Sequence, residues 1–341
     1  MKNIMIKLMK AREVTVIIFI AVLFAFVGTV NPSFVSPGNI SLTLQNSVMY
    51  ILLAIGIYFV LISKEIDVSI GSTLGMSAAV SATLLREGTA LPLVILAGIT
   101  VGALIGLING FGVVKLRIPS IVMTLGMNGL VRGLMIVYTK GAWVENLPDY
   151  FKRASQHKIL GTSTFLLVVL FIMLLISLYL KYAKKGKYFA AIGDNKDGAN
   201  LIGIPVNGYK IFAFVLSGVF ASLAGLVYTS QVGFVANVAG NGLEMITIAA
   251  AVLGGVSLNG GIGSVFGASL GALLMTSINS ALVFLKIPAF WNNTISGLLL
   301  VLIVTADALI NRYLKNKAKQ EKLLKKKIQT EEVFSEEEVL S

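Results

Sequence analysis

The sequence predicts an all-α protein that crosses a membrane many times. Hydrophobic residues make up 56% of the 341 residues and charged residues only 13%, a balance that favours a membrane protein over a soluble domain. The apolar runs approach the roughly 20 residues that a helix needs to cross a bilayer. Glycines recur at four-residue spacing within these runs, as at Gly98, Gly102, Gly106 and Gly110, and this spacing lets helices pack closely in lipid.

Reading the apolar windows in order gives about ten candidate spans. They lie near residues 14–30, 48–63, 66–85, 90–114, 119–139, 162–180, 211–231, 246–258, 264–285 and 291–310, and the eighth is short. The basic segment 1–13 precedes a run that continues to about Val30 without a small-residue cleavage pattern. We therefore interpret this run as the first span rather than as a signal peptide.

The distribution of charge predicts which side each loop occupies. Threading the spans alternately from a cytoplasmic N-terminus places most of the 28 lysine and arginine residues inside, many of them in the loop 181–210 and after the last span. This bias follows the positive-inside rule and predicts that both termini are cytoplasmic. The net charge of +12 then reflects topology and attraction to anionic lipid, without any nucleic-acid partner.

The same threading divides the chain into three parts. Residues 1–13 form a basic cytoplasmic N-terminus and residues 14–311 a transmembrane permease domain. Residues 312–341 form a tail with a basic block and then an acidic block, which predicts a partly disordered extension.

A weak internal repeat relates the two halves. The segments Gly102-Ala103-Leu104 and Leu116-Arg117-Ile118-Pro119 are echoed by Gly271-Ala272-Leu273 and Leu285-Lys286-Ile287-Pro288, and Asn109 by Asn279. In the predicted topology the two copies cross the membrane in opposite directions. This favours an inverted repeat of five plus five spans, an arrangement that occurs in transporters.

The helices that follow the two Ile-Pro pairs are candidates for a solute pathway, because transporter sites lie at repeat interfaces. Thr124, Asn128 and Arg132 are four residues apart and share one helical face. The second helix offers Asn292, Asn293 and Ser296. A neutral polar lining suits an uncharged, hydroxyl-rich solute, whereas Arg132 has an equally good explanation as a structural charge within the bundle.

Composition excludes several kinds of chemistry on this chain. It has no cysteine and one histidine, so neither a thiol nucleophile nor a cysteine metal site is available. The phosphate-binding pattern G-x-x-x-x-G-K-S/T does not occur in the sequence. We therefore expect neither a catalytic residue nor a bound metal or nucleotide.

The polar stretch Gly186–Pro205 predicts a short cytoplasmic helix over about 195–202. Asp194 is a candidate N-cap, Gly203 can close the helix and Pro205 prevents its return. Such a helix is too short to be stable alone in water and needs a surface to pack on. Ala199, Leu201 and Ile202 could supply an apolar contact, either to a partner or to the protein's own membrane surface.

Three segments carry a resemblance to the permeases of ribose-type sugar ABC importers, and it extends over about residues 14–310. They are Glu65–Ser72, Ala190–Ile204 and Ala251–Gly261. Within that family the chain is most similar to the autoinducer-2 import permeases, specifically to the first of their two paired permease subunits, with a rhamnose permease as the nearest competitor. This finer resemblance is carried by Gly126, Arg132-Gly133, Gly141 with Trp143, Leu147-Pro148, Gln231–Phe234, Gly242–Met245 and Ile287–Ala289 with Trp291-Asn292.

The resemblance implies a non-catalytic subunit of an ATP-driven importer in the bacterial inner membrane. It implies a second permease that forms the solute path together with this chain. It also implies a cytoplasmic ATPase that binds ATP and magnesium, and an extracytoplasmic ligand-binding protein. The residues that would couple to the ATPase are Gly193, Asp194, Asn195, Gly198, Ala199, Leu201, Ile202, Gly203 and Ile204. Rhamnose or ribose is the alternative substrate, and an ATP-independent secondary transporter is a further alternative that the near absence of acidic residues from the spans disfavours.

Three residues on the predicted outer side could contact the binding protein or form an outer gate. They are Trp143, Glu145 and Glu244, the last on an otherwise uncharged predicted loop. For Trp143 and Glu145, an interfacial aromatic belt with a solvated acid is the preferred explanation.

Overall fold

A computed structural model describes residues 12–159 and 161–288, with isolated positions at 291, 294, 295, 297, 298, 301 and 305. All the elements below belong to one compact unit, Met1–Gly297. The helices are α1 Arg12–Val30, α2 Pro37–Ile62, α3 Ile70–Arg86, α4 Leu91–Val114, α5 Ser120–Thr139, α6 Asp149–Ala154, α7 Thr164–Tyr182, α8 Lys184–Asp194, α9 Lys196–Leu201, α10 Val206–Val232, α11 Leu243–Leu253 and α12 Val265–Phe284. A 3-10 turn, Pro32–Val35, and an antiparallel pair of strands, β1 Lys158–Ile159 and β2 Thr162–Ser163, complete the described elements.

The predicted multi-span helical architecture is confirmed in outline. Within the described residues, seven helices are long and apolar enough to cross a membrane, namely α1 (over Glu13–Val30), α2, α4, α5, α7, α10 and α12. Helix α3 has 17 residues and lies just below that length. The N-terminal segment 1–11, most of the predicted tenth span and the charged tail lie outside the described residues.

Three predicted boundaries are corrected. Helix α2 begins at Pro37 rather than near residue 48, because the Ser36 side chain accepts a hydrogen bond from the Asn39 N–H and proline suits a first turn. Helix α11 covers only Leu243–Leu253, 11 residues or about 16 Å of helix, so the helix alone covers about half of the roughly 30 Å of a bilayer core. The predicted loop 181–210 contains two helices, α8 and α9, and α10 begins at Val206.

Helices α2 and α10 form the centre of the described bundle. Helix α2 packs against α10, α12 and α11, and α10 packs against α4, α2 and α3. The α10–α4 contact is very close, since a Cβ atom on either Gly102 or Gly218 would overlap the carbonyl group of the other. Lipid provides no hydrophobic driving force for helix association, so the close packing that small residues allow stabilises such crossings instead.

The loops that the predicted topology places on the same side of the membrane lie at the same end of the bundle. At one end the Gly261 N–H donates to the Ile62 carbonyl at 2.9 Å, and Gly193 packs against both residues. At the other end Val144 and Val235 exchange backbone hydrogen bonds of 2.9 and 3.0 Å. We call these the α9 end and the outer end.

Candidate functional site

Helices α3 and α11 both begin inside the bundle, after the non-helical segments 63–69 and 233–242. Their first turns meet through two glycines. A Cβ atom on Gly71 would collide with the Glu244 carboxylate and the Gly240 carbonyl, and one on Gly240 would collide with the Gly71 carbonyl. Gly240 also has a φ of +79°, which disfavours any residue with a side chain. Helices α3 and α11 are therefore in backbone contact at their first turns.

An ion pair between Arg132 of α5 and Glu244 of α11 lies beside this glycine contact. The guanidinium donates to the Glu244 carboxylate at 3.1 Å and to the Gly240 carbonyl at 3.3 Å. Only 21% of the arginine side chain and 9% of the glutamate side chain are exposed. Charges inside a membrane bundle are costly unless they are paired, and this pair ties α5 to the start of α11.

The location predicted for Glu244 was wrong. The sequence suggested an exposed outer loop, but the residue lies in the first turn of α11 and is buried. In this conformation its carboxylate faces Arg132 and is not available to a docking protein. Local sequence did not reveal this, because the partner is a distant residue on another helix.

The predicted polar face of α5 contacts the segment before α3. The buried Thr124 hydroxyl accepts from the Val68 N–H at 3.1 Å and donates to the Ser120 carbonyl at 2.8 Å. The Asn128 amide oxygen is buried and has no hydrogen-bond partner among the described residues. The other predicted pathway residues, Asn292, Asn293 and Ser296, lie outside the described residues.

Asp67 anchors the segment 63–69 within the bundle. Its carboxylate accepts from the Ser69 N–H at 2.9 Å, from the Ser69 hydroxyl at 2.6 Å and from the Ser217 hydroxyl of α10 at 2.8 Å. Asn109 of α4 donates to the Ser69 hydroxyl at 2.8 Å. A buried carboxylate needs such donors. Asp67 lies outside the predicted site, and an acidic residue at the edge of a span is the signal that could have identified it.

A second contact joins the same segment to the first turns of α10. Lys210 forms an ion pair with Glu65, and both side chains are largely buried. Lys210 and Ser217 are seven residues apart and so lie on one face of α10. This face of α10 therefore binds two carboxylates of the segment 63–69.

The short helix α9 is present, but its predicted cap is corrected. Asn195, not Asp194, caps it, and the Asn195 side chain accepts from the Gly198 N–H at 2.9 Å. Asp194 is instead the last residue of α8. Gly203 has a φ of +81° and closes the helix as predicted.

Helix α9 packs on its own chain and also displays apolar side chains. Ala199 is buried in a small cluster with Ile192, Ile204 and Val206. Leu201 is 89% exposed and Ile202 is 75% exposed. The cluster stabilises this short helix, while the two exposed side chains leave an unpartnered apolar surface, of the kind that marks interaction sites.

Helix α8 connects α9 to the transmembrane helices through Gly193. A Cβ atom on Gly193 would overlap the Ile62 carbonyl and lie 2.6 Å from the Gly261 nitrogen. The last turn of α8 therefore sits directly on the end of α2. Helix α8 thus links α9 to the end of α2, and the chain continues from α9 into α10.

At the outer end, Trp143 stacks on Phe234 with ring centroids 5.2 Å apart and an interplanar angle of 12°. Trp143 is half-exposed and Glu145 is exposed. The stack and the neighbouring Val144–Val235 bridge fasten the segment after α5 to the segment before α11.

Comparison with known proteins identifies the family. Residues 39–304 match the family described as "Branched-chain amino acid transport system / permease component". The chain belongs to this permease family. It is 42% identical over 307 residues, 90% of both chains, to a protein of Enterobacter sp. (strain 638) named "Autoinducer 2 import system permease protein LsrC".

Two further relatives carry the same name. The Salmonella typhi protein is 42% identical over 311 residues, 91% of this chain and 90% of its own. The Escherichia coli (strain K12 / DH10B) protein is 40% identical over 311 residues, 91% of each chain. No solved structure matches the chain. Family membership and the apolar helices together make this permease a multi-pass protein of the inner membrane.

Proposed function

We propose that the chain is a permease subunit of an ATP-driven ABC importer for autoinducer-2. The observation that carries this proposal is the identity of 40 to 42% over about nine-tenths of the chain to permeases named for autoinducer-2 import. The family description names branched-chain amino acids, which carry an ammonium and a carboxylate group, and a site for them would offer charges of opposite sign. Among the described residues, the buried charges of Arg132 with Glu244 and of Lys210 with Glu65 neutralise each other. The buried Asp67 carboxylate already accepts hydrogen bonds from Ser69 and Ser217, and this arrangement favours a neutral solute.

The complete importer would contain a second permease, a cytoplasmic ATPase and an extracytoplasmic ligand-binding protein. ATP and magnesium would bind the ATPase and not this chain, whose sequence lacks the phosphate-binding motif. The exposed side chains of Leu201 and Ile202 are the surface that we assign to the ATPase. The α9 end is then cytoplasmic, in agreement with the charge bias, and both termini are cytoplasmic as well.

Coupling would run from α9 to the segment before α3. Helix α10 follows α9 directly, and its Lys210 and Ser217 bind Glu65 and Asp67. Nucleotide binding shifts a conformational equilibrium only if the ATPase contacts α9 differently in the two states. A change in α9 would then move the segment 63–69 and the start of α3.

The packing supports the predicted repeat of five plus five spans. In this repeat, helices α2, α3 and α4 correspond to α10, α11 and α12. Helix α2 packs against α10, α11 and α12, and its counterpart α10 packs against the corresponding helices α2, α3 and α4. Gly71 and Gly240, which touch each other, have the same separation in sequence as Gly102 and Gly271. Residues near the axis of an inverted repeat are expected to meet their own counterparts in this way.

The remaining predicted roles stand as parts of the same proposal. The face of α5 with Thr124, Asn128 and Arg132 would border the pathway. The same face contacts the segment before α3 and the first turn of α11. Trp143 and Glu145 would contact the binding protein or close the outer gate, since both are accessible at the outer end.

The substrate is tested by uptake into proteoliposomes that contain the chain with its second permease, ATPase and binding protein. Autoinducer-2, ribose and rhamnose are supplied separately at equal concentration. We expect ATP-dependent uptake of autoinducer-2 to exceed that of both sugars. Uptake of rhamnose or ribose without autoinducer-2 would contradict the proposed substrate.

A further inference from the structure

A cavity of about 480 Å³ with a mixed polar and apolar lining lies between α2, α10 and α12. It opens near the outer end, because its residues come from the first half of α2 and from the last turns of α10 and α12. The polar side chains used below are Asn39, Asn46 and Tyr50 of α2, Tyr228 of α10, and Asn279 and Ser280 of α12.

The chemistry of the lining is neutral throughout. No lining residue carries a formal charge at pH 7, and amide, hydroxyl and phenol groups alternate with apolar side chains. Amides both donate and accept hydrogen bonds, which matches a ligand with adjacent hydroxyl groups. The rings of Tyr50 and Tyr228 add flat apolar surface. A volume of this size is in the range of small-molecule sites.

Part of the lining is held in place by hydrogen bonds. Ser280 donates to the Asn39 amide oxygen at 3.3 Å, and Asn39 donates to the Phe34 carbonyl at 2.7 Å. Tyr50 and Asn279 both line the cavity. Asn46 is exposed to the cavity and has no hydrogen bond within the described residues. The cavity thus combines a preorganised wall with a free amide.

The matching region near the α9 end is closed. Asn109, the repeat counterpart of Asn279, is buried there against Ser69 beside Asp67. The cavity extends down α2 to Tyr50, about 20 Å of helix from Pro37. The two halves of the repeat therefore differ in state, with the outer region open and the inner region filled by protein.

We infer that this cavity is a binding site for the neutral, hydroxyl-rich solute at the outer end, before the solute enters the path that the chain forms with the second permease. The inference rests on the proposed function and extends it to the residues that hold the solute. Asn46 and Asn279 bind the hydroxyl groups. The neutral lining rejects zwitterions, because a charged group would lose water without gaining a counter-charge.

The absence of cysteine from the sequence allows a direct test. Asn46→Cys in the assembled importer is labelled with a membrane-impermeant thiol reagent, with and without autoinducer-2 and, separately, leucine. We expect autoinducer-2 to slow labelling and leucine to have no effect. Ala142→Cys, exposed at the outer end and outside the cavity, is the matched control and should not be protected.

A second substitution separates binding from mere access. With Asn46→Cys as the reporter, Asn279→Leu should raise the autoinducer-2 concentration for half-protection about tenfold, the effect of one or two lost hydrogen bonds. Asn237→Leu, whose amide donates to Gly141 outside the cavity, should leave it unchanged. An unchanged rate of labelling without solute shows that each variant is folded.

The outcomes distinguish this inference from the proposed function. If the wild-type importer accumulates autoinducer-2 but Asn46→Cys is inaccessible or unprotected, or Asn279→Leu has no effect, the cavity is not the site. If the wild-type importer does not take up autoinducer-2 and Asn46→Cys is still protected by ribose or rhamnose, the cavity is a site and the proposed substrate is wrong.

Discussion

The ion pair between Arg132 and Glu244 makes a quantitative prediction about stability. Arg132→Met leaves a carboxylate whose side chain is only 9% exposed without a counter-charge. Breaking one side of a buried pair costs about 3–5 kcal/mol. The lost hydrogen bond to the Gly240 carbonyl, at 3.3 Å, adds at most about 1 kcal/mol. The double variant Arg132→Met/Glu244→Gln removes the unpaired charge, so most of the loss should be recovered.

The assay is the thermal midpoint of the purified chain in detergent. A loss of about 4 kcal/mol corresponds to a fall of roughly 10 °C, and the double variant should lie within a few degrees of the wild type. Lys152→Met is the control, because it breaks the exposed pair with Asp149 and should leave the midpoint unchanged. Lys152 lowers the pKa of Asp149 through a hydrogen bond and its charge, but both groups stay hydrated. If Arg132→Met matches the wild type, or if the double variant loses the sum of the single losses, the reasoning is refuted.

Three further predictions concern the α9 end. Leu201→Glu should abolish copurification of the ATPase while the thermal midpoint of the chain stays unchanged, because Leu201 is 89% exposed; normal copurification would mean that the ATPase binds elsewhere. Asn195→Ala removes the N-cap of α9, which lowers the stability of the helix by about 1 kcal/mol, and should weaken ATPase binding by a similar free energy. Titration of the chain with the ATPase measures this affinity, and an unchanged affinity would show that α9 needs no cap. Gly193→Ala should lower the midpoint by several degrees because the new methyl group meets the Ile62 carbonyl, whereas Gly208→Ala, with open space around it, should not, and equal effects would contradict the packing.

Local sequence signals correctly predicted features that depend only on neighbouring residues, such as the end of α9. Gly203 and Pro205 predicted the end of α9, because a left-handed residue followed by proline ends a helix in any context. The cap was misplaced by one residue, since Asp194 and Asn195 both suit that position. The choice depends on α8, whose last turn is fixed by the contact of Gly193 with Ile62, and no local signal reports that contact.

Long-range features escaped prediction for a related reason. Asn39, Thr43 and Asn46 lower the hydropathy of the first half of α2, so the predicted span began too late and missed a polar helical face. Their spacing of four and three residues is a signal that could have identified this face. The pairing of Arg132 with Glu244 has no such local signature, because it depends on where α11 begins.

Accumulation of autoinducer-2 against a gradient tests the central claim most directly. Proteoliposomes containing the chain and its three partner subunits are given either ATP or a non-hydrolysable analogue with no ion gradient present. A third sample receives the analogue together with an ion gradient. The proposed importer accumulates the solute above the external concentration with ATP and fails to do so with the analogue. Accumulation that an ion gradient drives without ATP hydrolysis would contradict it and identify a secondary transporter instead.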